Sequence, residues 1–130
     1  MAITQAICNS FKKQLLEADM NFKQTGGDKF KLALYSSTAT LNSATTSFTT
    51  TAQVGNSGQY TSGGGLLVNN GTSITAGVAR VDFADRSFTG VTLTARGALI
   101  YNTSSDTTNA GVCVLDFGAD KTATSGTFTI

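Results

Sequence analysis

Apolar residues at the start of the chain recur with a helical period. They follow one another at intervals of four, which places them on one face of a helix. The pattern predicts a single amphipathic helix over residues 3–18. A helix of this length is marginal alone in water, so its apolar face should pack on the rest of the protein. The residues on this face are Ile3, Ile7, Phe11, Leu15 and Leu16.

After the glycine pair in TGGD at 25–28, the period changes to two, as in strands. FKLALY at 30–35 alternates and predicts a strand with one apolar face, formed by Phe30, Leu32 and Leu34. The segment 73–85 gives the clearest alternation and predicts one strand. Further strands are predicted at 46–54, 66–68, 91–95, 98–101, 111–117 and 127–130.

Seven or eight short strands separated by Gly-, Ser-, Thr- and Asn-rich loops are typical of an antiparallel β fold. We expect a mainly β protein: a jelly-roll-like antiparallel β-sandwich or a small barrel, with the N-terminal helix lying on it. A length of 130 residues suits a single domain over 1–130, with the strands at 29–130. The glycine-rich segment 55–65 predicts a long mobile loop.

Charge is sparse in this chain, with a net charge of +1 and 13% charged residues. No basic stripe is available for phosphate contacts, so we expect no nucleic-acid partner. No apolar run reaches the length of a membrane helix, and the first residues lack a signal-peptide pattern. We therefore expect a protein made in the cytoplasm that has no membrane partner.

The chain contains no histidine, which excludes imidazole-based triads and histidine metal sites. The spacing of Asp82 and Asp85 places them on opposite faces of a strand, so they do not form an acid–base pair. The glycines at 63–65 lack the following GK[ST] of a phosphate loop. We expect no enzyme activity, no cofactor and no metal. The other carboxylates considered are Asp106, Asp116 and Asp120.

Arg96 precedes the most apolar segment of the chain, within TARGALIYN at 94–102. It could clamp an anionic substrate, but no other reactive group accompanies it. A guanidinium beside buried strands needs a carboxylate partner. The sequence therefore favours a structural ion pair with Asp82 or Asp116 (Asp85 also flanks these strands), with Gly97 providing a bulge that turns Arg96 towards its partner.

The two cysteines, Cys8 and Cys113, lie far apart and belong to no CxxC motif. A disulfide between them is one reading. The sequence favours the other, two free thiols that act as small buried hydrophobes in a protein made in a reducing compartment.

The chain resembles a group of small structural proteins of tailed bacteriophages, including phages of cyanobacteria and marine bacteria. The resemblance rests on TARGALIYN and on VLDFGADKTATSGTFTI at 114–130. It also rests, in the same order along the chain, on MAITQAIC, DKFKLALYSSTATLNSAT, YTSGGG and DFAD. It implies a β-rich virion component that is assembled in the host cytoplasm. Members of the group continue past a TFTI-like segment into a further strand, so the sheet is expected either to be one strand short or to be completed by a neighbouring chain.

Within that resemblance, the first expectation is a capsid decoration (cement) protein that binds the outer face of the major capsid protein shell. Such proteins are homo-oligomers, commonly trimers. A tail or head–tail connector subunit is the alternative in the same class. A glycan-binding tip module that uses Tyr60 and the 55–65 loop is an alternative from another class. The candidate partner-contact residues are Asn56, Gln59, Tyr60, Ser62, Lys12 and Lys13.

Overall fold

A computed structural model describes residues 2–130. The fold is mainly antiparallel β with one short N-terminal helix. Its elements are β1 (Ala6–Ile7), α1 (Asn9–Leu16), β2 (Phe30–Tyr35), β3 (Gly65–Leu66), β4 (Asn69–Thr75), β5 (Val78–Phe83), β6 (Ser87–Asn102) and β7 (Ala110–Thr129). Five strands form one sheet in the order β1-β7-β6-β2-β3, and β4 pairs with β5 in a separate two-stranded sheet. Over residues 2–130 the strands do not close into a barrel, so that form of the prediction is wrong.

The core is built on β2 and the adjoining half of β6. β2 lies between β6 and β3, so both of its edges are paired. Ala33 and Tyr35 on one face are as buried as Leu32 and Leu34 on the other, so both faces of the strand are covered. The expectation of one dry face on this strand is wrong, because alternation in the sequence does not show that packing covers the second face.

The predicted helix over 3–18 is wrong in extent, because α1 spans only Asn9–Leu16. The backbone before it is extended: Ile3 bridges Leu41, and β1 pairs with β7. These contacts give the backbone N–H and C=O groups of this segment hydrogen-bond partners that a helix would otherwise have to supply. Ile3 is buried in this extended segment, whereas Leu16 projects into solvent at the end of the helix.

Five of the predicted strands also differ from the structure in kind or in extent. Residues 46–54 are irregular and touch the sheet through single bridges, Ser47 to Ala110 and Gln53 to Tyr35. The predicted strands 91–95 and 98–101 are parts of the continuous strand β6, and 111–117 and 127–130 fall largely within β7.

The predicted single strand at 73–85 is a hairpin, β4–β5, which turns at Ala76 and Gly77. Both turn residues have positive φ, 50° and 78°, as a two-residue type I′ turn requires. The prediction missed the turn because alanine is an unusual residue at such a position. The facing pairs place Thr72, Ile74, Ala79 and Val81 on one, mainly apolar face of the hairpin. The other, mainly polar face carries Ser73, Thr75, Val78, Arg80 and Asp82.

Candidate functional site

Arg96 forms an ion pair with Asp116, with 3.2 Å between Nε and Oδ1. The register of β6–β7 shifts between Ala95 and Gly97, so Arg96 lies at a bulge beside the predicted glycine. The Gly118 amide, which donates to Asp116, and the Arg96 guanidinium hold the pKa of that carboxyl below its usual range. The arrangement closes a bulge and presents no reactive group.

Asp82 is not the partner of Arg96. It lies on β5, in the other sheet, and its Oδ2 accepts a hydrogen bond of 2.9 Å from Asn70 Nδ2. Asp85 is exposed after β5. The sequence could not separate these carboxylates because all of them flank apolar strands.

Tyr60 is a core residue rather than a surface contact, since it is 0% exposed. Its hydroxyl accepts hydrogen bonds from the amide of Leu34 at 2.8 Å and from Gln53 Nε2 at 3.0 Å. Its ring packs edge-on against Phe88, and burial raises the pKa of its hydroxyl. A ring held in this way cannot stack on a sugar, so the glycan-binding alternative loses the aromatic residue on which it rested.

The rest of the 55–65 segment is also tied to the protein, so its contacts do not match the expected mobile loop. Within the segment, Asn56 Oδ1 accepts a hydrogen bond from the amide of Ser62 at 2.6 Å. Gln59 bonds Thr89 through both its amide and its side-chain oxygen, and Ser57 Oγ accepts from the amide of Thr92. The segment therefore covers the outer edge of β6 near Thr89.

The two candidate lysines lie on the exposed side of α1. Lys13 forms an ion pair with Glu17 at 2.7 Å, one turn along the helix. Lys12 reaches Asn9 at 3.5 Å. Exposed pairs of this kind contribute little to stability, and both cations remain accessible to a partner.

Both cysteines are free thiols in the structure. Burial raises the pKa of the Cys113 thiol to about 11, and it also raises the pKa of Cys8. A thiol must ionise to act as a nucleophile, so the raised pKa values suppress the reactivity of both cysteines at neutral pH.

An open apolar cleft of about 520 Å³ lies beside the β4–β5 hairpin. One wall is the apolar face of the hairpin, including Ala79 and Val81. The other wall is formed by α1 and the β1 side of the main sheet, with Leu15 and Cys113. Its lining is almost wholly hydrocarbon, which suits apolar contact rather than chemistry. The full lining is Ile7, Phe11, Leu15, Phe22, Thr72, Ala79, Arg80, Val81, Phe83, Ile100, Val112 and Cys113.

Large apolar side chains are also exposed on α1 and on the hairpin. Leu16 is 90% exposed at the end of α1, and Ile74 is 72% exposed near the hairpin turn. Ile7 and Leu15, about half exposed, lie at the cleft itself. Sequence reasoning missed this surface because the same residues were assigned to the buried face of a long helix and to a single strand.

Among residues 2–130, no cluster of three or more His, Cys, Asp or Glu side chains could hold a metal ion. No helix in that range is long and apolar enough to cross a membrane. Comparison with protein-family models, with curated protein sequences and with solved structures finds no match to this chain.

Proposed function

We propose that this protein is a structural virion component of a tailed phage that decorates the capsid by binding the outer face of the major capsid protein shell. The observation that carries the proposal is the exposed apolar surface around α1 and the β4–β5 hairpin. Exposed large apolar side chains beside an open apolar cleft support a role in binding another protein.

The low charge of the chain supports the same role. A net charge of +1 produces little long-range repulsion between neighbouring copies packed on one shell. Each contact can be modest if one oligomer touches several shell subunits, because every contact after the first benefits from a high effective concentration. The function then depends on many small apolar contacts rather than on one reactive site.

The finer features of this proposal follow from the resemblance to phage structural proteins. They are a homo-oligomer, commonly a trimer, located on the virion surface, and a jelly-roll-like sandwich as the underlying fold. A tail or head–tail connector subunit is the alternative position in the particle. The two positions differ in copy number, because a shell needs hundreds of copies and a connector needs about a dozen.

The test uses particles assembled without this protein, to which purified protein is added back. We expect saturable binding of hundreds of copies and better retention of the genome on heating. Leu16→Gln should weaken binding several-fold, because it removes an exposed apolar contact without changing the core. Leu66→Gln is the matched control, since Leu66 is also exposed but lies on β3, at the opposite edge of the sheet from β1.

Absence of binding to intact shells would contradict the decoration role. Recovery of about a dozen copies per particle, all in the tail or connector, would support the alternative. Equal binding by the two variants would show that the surface at α1 is not the contact.

A further inference from the structure

The outer edge of β5 is an unpaired strand edge that nothing in the described chain covers. Within residues 2–130, no backbone hydrogen bond joins residues 71–82 to a segment outside the hairpin. The pairing is regular from Gly71/Asp82 to the turn, and the only register shift lies at the base, between Asn69 and Gly71. β5 contains no proline. A regular edge of this kind is a template for another strand.

The turn determines which residues of β5 face this edge. In a two-residue hairpin the residues flanking the turn, Thr75 and Val78, exchange hydrogen bonds, and pairing then alternates along the strands. Arg80 and Asp82 therefore direct their backbone groups towards β4. Ala79 and Val81 direct theirs towards the free edge.

The side chains of β5 are complementary to a second copy of the same strand. Arg80 and Asp82 share the polar face, two residues apart, with Val81 between them. In an antiparallel pair centred on Val81, each Arg80 lies opposite the second copy's Asp82. This is a position without backbone hydrogen bonds, where side chains approach most closely. Each Ala79 then lies opposite the second copy's Phe83 on the apolar face.

The charged groups on β5 are available for such pairing. The Arg80 side chain has no hydrogen bond or ion pair within residues 2–130. Within residues 2–130, the one side-chain partner of Asp82 is the neutral amide of Asn70. A cation and an anion two residues apart, without charged partners in the described part of the chain, are the expected arrangement if a second copy supplies the opposite charges.

We propose that two copies of this chain associate through β5, in antiparallel register about a two-fold axis at Val81. The two hairpins then form one four-stranded sheet in the order β4-β5-β5-β4. Its apolar face, with Ala79 and Val81, continues across the axis. A two-stranded hairpin is marginal alone in water, and the four-stranded sheet removes that weakness. The interface is isologous, as closed dimers require.

The experiment measures self-association of the full chain by sedimentation over a series of concentrations at low and moderate salt. We expect the natural sequence to self-associate reversibly, with a dimer as the first associated species. R80D sets two carboxylates opposite each other at both symmetric positions, and D82R sets two guanidinium groups there. Each single variant should weaken the dimer by about tenfold or more, because like charges facing across strands repel.

Two complementation tests separate this register from a general effect of charge. An equimolar mixture of R80D and D82R should form a heterodimer, because every facing pair is then opposite in charge. The double variant R80D/D82R should again pair with itself. Thermal melting of each variant serves as the folding control. In the natural protein, amide exchange at Ala79 and Val81 should slow as concentration rises.

A chain that stays monomeric at millimolar concentration would overturn the proposal, as would a dimer that both single variants leave unchanged. So would a mixture that associates no better than its components. The proposal does not depend on a role in the virion, because every measurement uses the purified protein alone. Failure to bind a capsid would leave these outcomes unaffected.

Discussion

The protein contains two antiparallel pairs, β6–β7 and β4–β5, whose strand edges are protected to different extents. The β6–β7 pair is long, and its register shifts at four places. The β4–β5 pair is short and has one shift, at its base. On β6, side chains such as Phe88 and Val91 are buried, whereas Ile74 and Val78 on the hairpin are exposed to solvent.

The difference shows where the protein prevents further pairing and where it leaves pairing open. Bulges bend and twist a strand, so they make a poor template for an added strand. The 55–65 segment also occupies the edge of β6 at Thr89 and Thr92. The hairpin has neither protection over residues 71–82, which is why we assign its β5 edge to a second copy.

The largest expected effect is a loss of stability that tests how strongly the 55–65 segment is packed against β6. Tyr60→Ala removes a fully buried ring from beside Phe88 and leaves a cavity, so the free energy of unfolding should fall by about 3–5 kcal/mol. Ile74→Ala is the matched change on the hairpin. Because Ile74 is 72% exposed, its loss should change stability by no more than about 0.5 kcal/mol. Chemical denaturation at a concentration where the chain is monomeric measures both values.

Similar losses for the two variants would contradict the comparison. In that case the hairpin would be as much a part of the folded core as β6. Retention of full stability by Tyr60→Ala would instead show that the 55–65 segment does not hold β6 in place.

A smaller loss of stability is expected on substitution of two glycines with positive φ, Gly58 in the 55–65 segment and Gly77 in the hairpin turn. A Cβ added at Gly58 would lie 2.1 Å from the carbonyl oxygen of Gly90, whereas at Gly77 it would meet nothing within 4 Å. Gly58→Ala should cost about 2–3 kcal/mol, from backbone strain together with the displacement of β6. Gly77→Ala should cost about 1 kcal/mol, from strain alone.

Thermal melting with denaturant titration ranks the two glycine variants. Equal losses in the free energy of unfolding would mean that the 55–65 segment moves freely away from β6 when a Cβ is added at Gly58. That outcome would restore the sequence-based expectation of a mobile loop, which the hydrogen bonds of Gln59 and Ser57 argue against.

The sequence predicted the mainly β fold and most strand positions because alternation reports which residues can share a face. It also predicted the Arg96 bulge from an isolated cation next to Gly97. It did not predict the length of α1, since a spacing of four is equally compatible with the extended segment around Ile3. That choice depends on backbone partners such as Leu41, which lie far away in the chain.

The candidate site was mostly beyond the reach of the sequence. Tyr60 and the glycines around it have the composition of an exposed loop, and only the tertiary contacts with Leu34 and Phe88 show that the ring is buried. The hairpin turn at Ala76 carried a weak signal, because alanine seldom adopts positive φ. The charge pattern of β5 was visible in the sequence, but its meaning depends on knowing which edge is free.

The smallest expected effect compares two arginines, one paired and one not. Arg96→Gln removes the ion pair with Asp116, so the melting temperature at pH 7 should fall slightly, by less than for either glycine variant. Arg80→Gln should leave the melting temperature of the monomer unchanged, because Arg80 has no side-chain partner within residues 2–130.

The dependence on pH distinguishes a lost ion pair from a general loss of packing. The pKa of Asp116 in the folded protein is below its ordinary value, so the unfolded chain binds its proton first as the pH falls. The stability from this carboxyl is therefore present at neutral pH and is lost below about pH 4. Arg96→Gln should flatten that acid loss in part, since the Gly118 amide still donates to Asp116, and Arg80→Gln should not. Parallel melting curves for all three proteins from pH 7 to pH 2 would show that the ion pair does not hold the bulge.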